Sequence, residues 1–293
     1  MPRIDDKGNI VRDDVELGRS LDDGYRPATS ATLSSAPSGP WYVPRSLHSS
    51  PATYTLLVLQ LIMYLLSTIA VAPRGWYYPT TLALLRVGSD SGEYISCAVC
   101  GYVLELRRLV VPIFLHLSIL HIAFNFFFQF TSCPILENML GTKPFVILFV
   151  GAGVCGNLLG AAVGENGVGA STACYGILGA SYMIEYINWP TYDQATRESR
   201  SKFLVFQTIF LLFWEVMMWD TVGHFGHLGG LIGGALILSQ VRPPSGEREE
   251  RTRKYTAIVL LMFIAACGGY LWIPRLTHFP SSRSYCSVIM NIY

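Results

Sequence analysis

Charge is what this sequence has least of. Of its 293 residues only 14% are Asp, Glu, Lys or Arg, against roughly 25% in an ordinary soluble domain. The 21 basic and 20 acidic side chains nearly cancel, which excludes a basic nucleic-acid binder and an acidic disordered chain. Residues 1–51 lack an apolar run, and with it the core of a cleavable signal peptide. His-Glu-x-x-His is missing too, and no carboxylate pair accompanies His224-x-x-His227, so the ligand pattern of a zinc hydrolase is not met. The seven cysteines form no disulfide framework: Cys133, Cys155, Cys174 and Cys267 lie in or beside apolar stretches, as small fillers.

What fills the chain instead is hydrocarbon: 51% of residues are hydrophobic and the mean hydropathy is +0.39. A bilayer core about 30 Å thick is crossed by roughly 20 mainly apolar residues of helix. Seven stretches qualify, at 53–72, 112–132, 144–163, 169–188, 203–219, 223–241 and 256–273. This predicts an all-α, polytopic membrane protein. The tail 1–51, rich in Ser, Pro, Asp and Arg, is expected to be disordered, with the first span acting as a signal anchor. With the N-terminus in the cytosol, fifteen of the 21 basic residues lie in cytosolic segments, the orientation that Lys and Arg favour.

Pro73–Val111 carries Trp76, Tyr77 and Tyr78 with Leu82, Leu84 and Leu85, and reads as a segment lying in the non-cytosolic membrane surface. On that side Cys97 and Cys100 form a C-x-x-C, with Cys286 also there, and a disulfide is feasible. Residues 244–255 read as a polar cytosolic hinge. The stretch 256–293 reads as a seventh span with a short non-cytosolic tail, an appendage whose span has no ionisable group.

Polar groups within spans are costly unless they meet partners or water. In the second span His121 and Asn125, four apart, share a helix face, whereas His116 points elsewhere and suits a structural hydrogen bond. The fourth span opens Gly169-Ala-Ser171-Thr-Ala-Cys-Tyr175-Gly176, which puts Ser171 and Tyr175 on one face, and the sixth carries His224 and His227. These three spans run in the same direction. Ser171, two residues into its span, and His227, four into its own, then differ in depth by roughly 3 Å; His121 lies about nine residues in. A hydroxyl, an imidazole and a set of hydrogen-bond donors converge in the outer half of the bilayer, as acyl transfer requires. Gly226, Gly230 and Gly234, with Gly229 and Gly233 beside them, permit the close helix approach that convergence needs. Asp220 could orient either histidine. Glu185 and Glu215 read as buried hydrogen-bonding or snorkelling groups, and Glu165 as part of a water entrance.

Three segments together resemble the rhomboid intramembrane serine proteases: His116-Leu-Ser-Ile-Leu-His121-Ile-Ala-Phe-Asn125, Gly169-Ala-Ser171-Thr-Ala-Cys-Tyr175-Gly176, and Gly226-His227-Leu-Gly-Gly. The resemblance covers roughly residues 101–241 and implies a six-helix catalytic domain, residues 52–243, plus one C-terminal transmembrane helix. It implies Ser171 as nucleophile and His227 as general base, a dyad without a third carboxylate. His121 and Asn125, with the Ser171 N–H, would form the oxyanion hole, and Tyr175 would pack on the His227 imidazole; Gly169 and His116 would support them. Family members usually show Trp-Arg before the second span, where this chain has Arg107-Arg108 after Glu105. The six-plus-one layout is common among eukaryotic secretory-pathway members, and the Ala-Ser-Thr-Ala-Cys-Tyr stretch looks closest to apicomplexan ones.

The activity so implied is an endopeptidase cutting single-span transmembrane proteins near the lumenal or extracellular face and releasing ectodomains. It would work in the Golgi, a secretory organelle or the plasma membrane, with the bilayer as partner and no metal, cofactor or nucleic acid. Three rivals stand beside it. A seven-span receptor would put the N-terminus outside, against the charge balance. A metal-dependent hydrolase or transporter would use the histidines as ligands. An inactive rhomboid relative would bind without cutting, but such relatives lose the serine or the histidine.

Overall fold

The computed structural model describes residues 3–4, 10–11, 50–69, 79–244, 246–278 and 286–287. Within the N-terminal unit, Met1–Val43, the described residues are β1 (Arg3–Ile4) and β2 (Ile10–Val11), an antiparallel pair. The disorder expected of the rest of that tail, and the aromatic run 76–78, lie outside the described residues.

The second unit, Pro44–Tyr293, is helical. Helix α1 (Pro51–Ile69) is followed by two short helices, α2 (Thr81–Val87) and α3 (Gly92–Ser96), and by 3-10 segments over Cys97–Cys100, Val103–Leu109 and Val111–Phe114. Then come α4 (Ile119–Leu140), α5 (Thr142–Ala162), α6 (Ser171–Asn188), α7 (Gln194–Met217), α8 (His224–Val241) and α9 (Glu247–His278). The seven long helices correspond to the seven apolar stretches. By length and composition four of them, α1, α4, α5 and α9, are apolar enough to cross a membrane. The remaining three, α6, α7 and α8, carry Ser171, Glu215 and the two histidines, and their polar groups lower the hydropathy that the other four keep.

The helices are apolar on both their packed and their outer faces. Val58, Leu61 and Leu65 of α1, Val205, Ile209 and Leu212 of α7, and Leu261 and Met262 of α9 face outward, as lipid-covered helices require. Several inward polar groups pair between helices, because hydrocarbon satisfies none of them. The Gln60 and Gln129 amides exchange two hydrogen bonds, at 2.8 and 2.9 Å, between α1 and α4. The Glu137 carboxylate accepts from the Ala52 and Thr53 N–H groups at 2.9 and 2.8 Å. That satisfies the free donors of the α1 N-terminus with a side chain from α4.

The glycines of α8 set the centre of the bundle. A methyl at Gly230 would lie 2.0 Å from the Thr172 carbonyl oxygen and one at Gly234 1.9 Å from that of Gly176, so α6 and α8 touch backbone to backbone. On the other flank of α8, a methyl at Gly233 would meet Cys155 Cβ of α5 at 2.4 Å.

Several boundaries differ from expectation. The second span starts at Ile119 rather than 112: Ser118 is its N-cap and accepts from the His121 N–H at 3.2 Å, so the apolar residues before it are 3-10 turns and loop. Helix α7 begins at Gln194, capped by Asp193, so two polar turns precede the apolar run that starts near 203. Helix α9 begins at Glu247, which makes most of the expected hinge 244–255 helical. Nor is α9 an appendage: Cys267 and Leu271 are buried with Ile95, Leu158 and Ala161, and the Trp272 indole donates to the Ile95 carbonyl at 3.4 Å. The disulfide joins Cys97 to Cys286, tying the tail after α9 to the loop between α1 and α4.

That loop is docked on the bundle. Arg108, buried, pairs with Glu105, donates to the Leu85 and Ser89 carbonyls at 2.9 and 3.1 Å, and lies 4.2 Å from the centre of the Tyr94 ring. Arg107, at the position where the family usually has Trp, is half-exposed and lies 3.6 Å from Glu105. The Asp90 N–H donates to the Gly167 carbonyl at 2.9 Å and Gly169 N–H to that of Pro112 at 2.9 Å, so the loop also steadies the turn that leads into Ser171.

Candidate active site

Ser171 is the first residue of α6, where its N–H has no acceptor within its own helix. Its Oγ lies 2.8 Å from His227 Nε2, in the first turn of α8. Both side chains are nearly sealed, with Ser171 at 7% and His227 at 4% exposure, so water has to be admitted for any hydrolysis. The Tyr175 ring stacks on the imidazole, 4.4 Å between centroids and 12° between planes, one helical turn after the serine. The sequence arithmetic of depth and face therefore brings these three side chains together.

His121 does not sit nine residues into its helix but in the first turn of α4, because the helix starts later than hydropathy suggests. The Leu117 N–H donates to its Nδ1 at 3.4 Å, which leaves the proton on Nε2. That N–H is buried and without a partner. It faces Gly169 so closely that a methyl there would lie 2.7 Å from Nε2 and 3.5 Å from Ser171 Oγ. Gly169 has φ +132°, a conformation an L side chain rarely adopts, so both its backbone and its missing side chain make the site possible. An unpaired donor aimed beside the serine is what a developing oxyanion needs.

Asn125, expected beside His121 as a second donor, commits one of its two amide N–H groups to its own helix. Its amide donates to the His121 carbonyl at 2.9 Å, and its oxygen is 3.6 Å from Cys174 Sγ. His116 does not point away from His121: the rings meet edge to face at 5.2 Å, and its Nε2 faces the Ala170 N–H at 3.5 Å. It holds the turn just before Ser171.

Glu215, near the C-terminus of α7, is the hydrogen-bonding group the sequence suggested, but its partners are the site residues themselves. Its carboxylate takes His227 Nδ1 at 2.5 Å and the Tyr175 hydroxyl at 2.7 Å on one oxygen, and His224 Nδ1 at 2.5 Å on the other. Asp220, the acid considered for orienting a histidine, is exposed in the α7–α8 turn. The signal was present: a short connection makes the end of α7 and the start of α8 antiparallel neighbours. Glu165 is not simply a lining group of a water entrance. It accepts from the Phe225 and Gly226 N–H groups at 3.2 and 3.0 Å, capping the helix that carries His227.

The chain is similar to several known proteins. The rhomboid domain family matches residues 103–243, the stretch that holds every residue named above in the site. Rhomboid-like protease 3 of Toxoplasma gondii is 30% identical over 185 residues, 62% of this chain and 66% of that protein. Rhomboid-like protease 2 of the same organism is 29% identical over 199 residues, 66% of each chain. Inactive rhomboid protein 2 of Homo sapiens is 24% identical over 200 residues, 62% of this chain and 23% of that protein. The chain belongs to the rhomboid family, a polytopic helical membrane fold. It spans about two thirds of the length of the two Toxoplasma relatives.

Proposed function

We propose that this protein is an active intramembrane serine endopeptidase, with Ser171 as nucleophile and His227 as general base. The observation that carries the reading is the 2.8 Å contact between Ser171 Oγ and His227 Nε2 inside an apolar bundle. Since family relatives include one named inactive, it matters that both chemical groups are present and in hydrogen-bond contact.

The reaction follows from the atoms. Ser171 Oγ attacks the scissile carbonyl carbon while its proton passes to His227 Nε2. The carbonyl oxygen becomes an oxyanion, met by the His121 Nε2–H and the Ser171 N–H. Collapse of the tetrahedral intermediate breaks the C–N bond, and the amine leaves with the proton from Nε2, giving an acyl-enzyme on Ser171. Water then gives its proton to Nε2 and its oxygen to the acyl carbon; the acid is released and the proton returns to Ser171 Oγ. A transmembrane substrate must be locally unwound to present its carbonyl, because helical carbonyls are already hydrogen-bonded. Small or helix-breaking residues near the site's side of the bilayer should therefore mark the substrates, which we take to be single-span proteins.

The disulfide Cys97–Cys286 lies on the side where α4, α6 and α8 begin, the side of the site. Disulfides persist in oxidising compartments, which supports placing that face toward the lumen or outside and the N-terminus in the cytosol. In the same reading, residues 52–243 form the catalytic domain and α9 the additional span.

Co-expression with tagged single-span proteins tests the proposal. The wild type should release tagged fragments that Ser171→Ala does not, and a serine-directed phosphonate should label only the wild type. Chelators should leave cleavage unchanged.

A further inference from the structure

We infer that Glu215 is a positioning residue for His227, making the site a Ser171–His227–Glu215 relay rather than a bare serine–histidine pair. The inference rests on the protease reading above. A carboxylate can only accept hydrogen bonds, so the 2.5 Å contact with His227 Nδ1 fixes the imidazole proton on Nδ1. The lone pair is then on Nε2, the nitrogen 2.8 Å from Ser171 Oγ. Without this contact the two neutral tautomers compete, and the one with the proton on Nε2 cannot accept from serine. Once the serine proton has moved, the ring is an imidazolium, and the carboxylate on its far side balances that charge in a low-dielectric setting.

Glu215 does not make this contact alone. Its Oε2 also accepts from the Tyr175 hydroxyl at 2.7 Å, so the tyrosine that stacks on the imidazole face also braces the carboxylate that holds its edge. Its Oε1 is taken by His224 Nδ1, whose ring packs 4.3 Å from that of Trp219. One carboxylate thus joins α6, α7 and α8. The relay consequently depends on where α7 sits: a displacement of that helix by an ångström or two takes the carboxylate from His227 and leaves the base in the wrong tautomer.

The test is a split of kcat against KM, with rescue by a conservative variant. The titratable or charged groups around His227 are Glu215 from α7, His224 on its own helix, Tyr175 from α6 and His121 from α4, with Glu165 at the start of α8. Glu215→Gln keeps the size of the side chain and removes the charge, and Glu215→Asp keeps the charge on a shorter stem. We expect Gln to lower kcat by about 10²–10⁴ with little change in KM. Asp should recover part of the rate. A Gln variant within threefold of wild type overturns the inference. So does a loss of activity that Asp fails to recover and that tracks a lowered melting temperature in detergent, because that is a packing role. Wild type and Ser171→Ala run alongside: if the two cleave alike, the protease reading fails. If only the wild type cleaves and Gln matches it, the relay alone fails.

Discussion

At the scale of single residues, the site is defined by which polar atoms are free and which are committed. The His121 Nε2–H is free and aimed beside Ser171, whereas one of the two Asn125 amide N–H groups is committed to its own helix. His121→Ala should therefore lower kcat by about 10²-fold, the usual loss for one oxyanion donor, and Asn125→Ala should cost several-fold less in the same cleavage assay. Gly169→Ala should be as damaging as His121→Ala, since the new methyl collides with the imidazole and the backbone there has φ +132°. Equal losses for His121→Ala and Asn125→Ala would mean that the asparagine turns toward the substrate. The assignment of His121 and Asn125 as a pair was as far as helix periodicity reached. Which of the two holds a free proton depends on partners such as the Leu117 N–H, and no spacing rule exposes those.

Asp90, in the loop between α1 and α4, makes a second residue-scale prediction. Burial pushes its carboxyl well above the usual carboxylate range, and the neighbouring Glu165 adds to this, against the Ser91 N–H and the Arg108 charge. A carboxyl raised in the folded state contributes its stability at low pH and loses it as pH climbs from about 4 through the raised value. Asp90→Asn, which stays neutral, should melt higher than wild type at pH 8 and match it at pH 4. A melting temperature unchanged at pH 8 would show that Asp90 is not the buried acid described.

At the scale of elements, close approach is what the glycines of α8 supply. Gly230→Ala and Gly234→Ala each drive a methyl into an α6 carbonyl, an overpacking that costs about 1–3 kcal/mol and moves Ser171 away from His227. Both variants should insert into membranes, melt lower and cleave slowly; cleavage at the wild-type rate would contradict the backbone contact. The small-residue stripe was plain in the sequence, and so was the number of long helices. Their ends were not, and for a single reason: hydropathy measures what lipid tolerates, while helix ends are set by caps. Ser118 stops α4 from extending back through 112, and Asp193 starts α7 in water, well before its first apolar turn.

At the scale of the whole molecule, polar side chains stitch the helices and the last span is integral. The Gln60–Gln129 pair implies that Gln60→Leu alone strands the buried Gln129 side-chain oxygen, a loss of about 1–3 kcal/mol, whereas Gln60→Leu with Gln129→Leu is nearly neutral. The double-mutant melting curve reads this directly. The Cys97–Cys286 disulfide should be worth about 2–4 kcal/mol: Cys286→Ser should melt lower, reductant should lower the wild type to match, and reductant should leave the variant unchanged. The sequence offered Cys97, Cys100 and Cys286 on one side without the pairing, since three-dimensional docking of α9 on the loop decides it. The partners of Glu215 were hidden for a similar reason. An acid in an apolar helix has many satisfactory fates, and only the meeting of α6, α7 and α8 shows which one it has.

The central claim is that one hydroxyl and one imidazole on separate helices hydrolyse peptide bonds inside a membrane. Its most direct measurement is cleavage of a tagged transmembrane substrate by purified, lipid-reconstituted protein, comparing wild type with Ser171→Ala and His227→Ala. Fragment appearance in the wild type, and loss by a factor of about 10³ or more in each variant, is the predicted result. Fragments at equal rates in all three would contradict it.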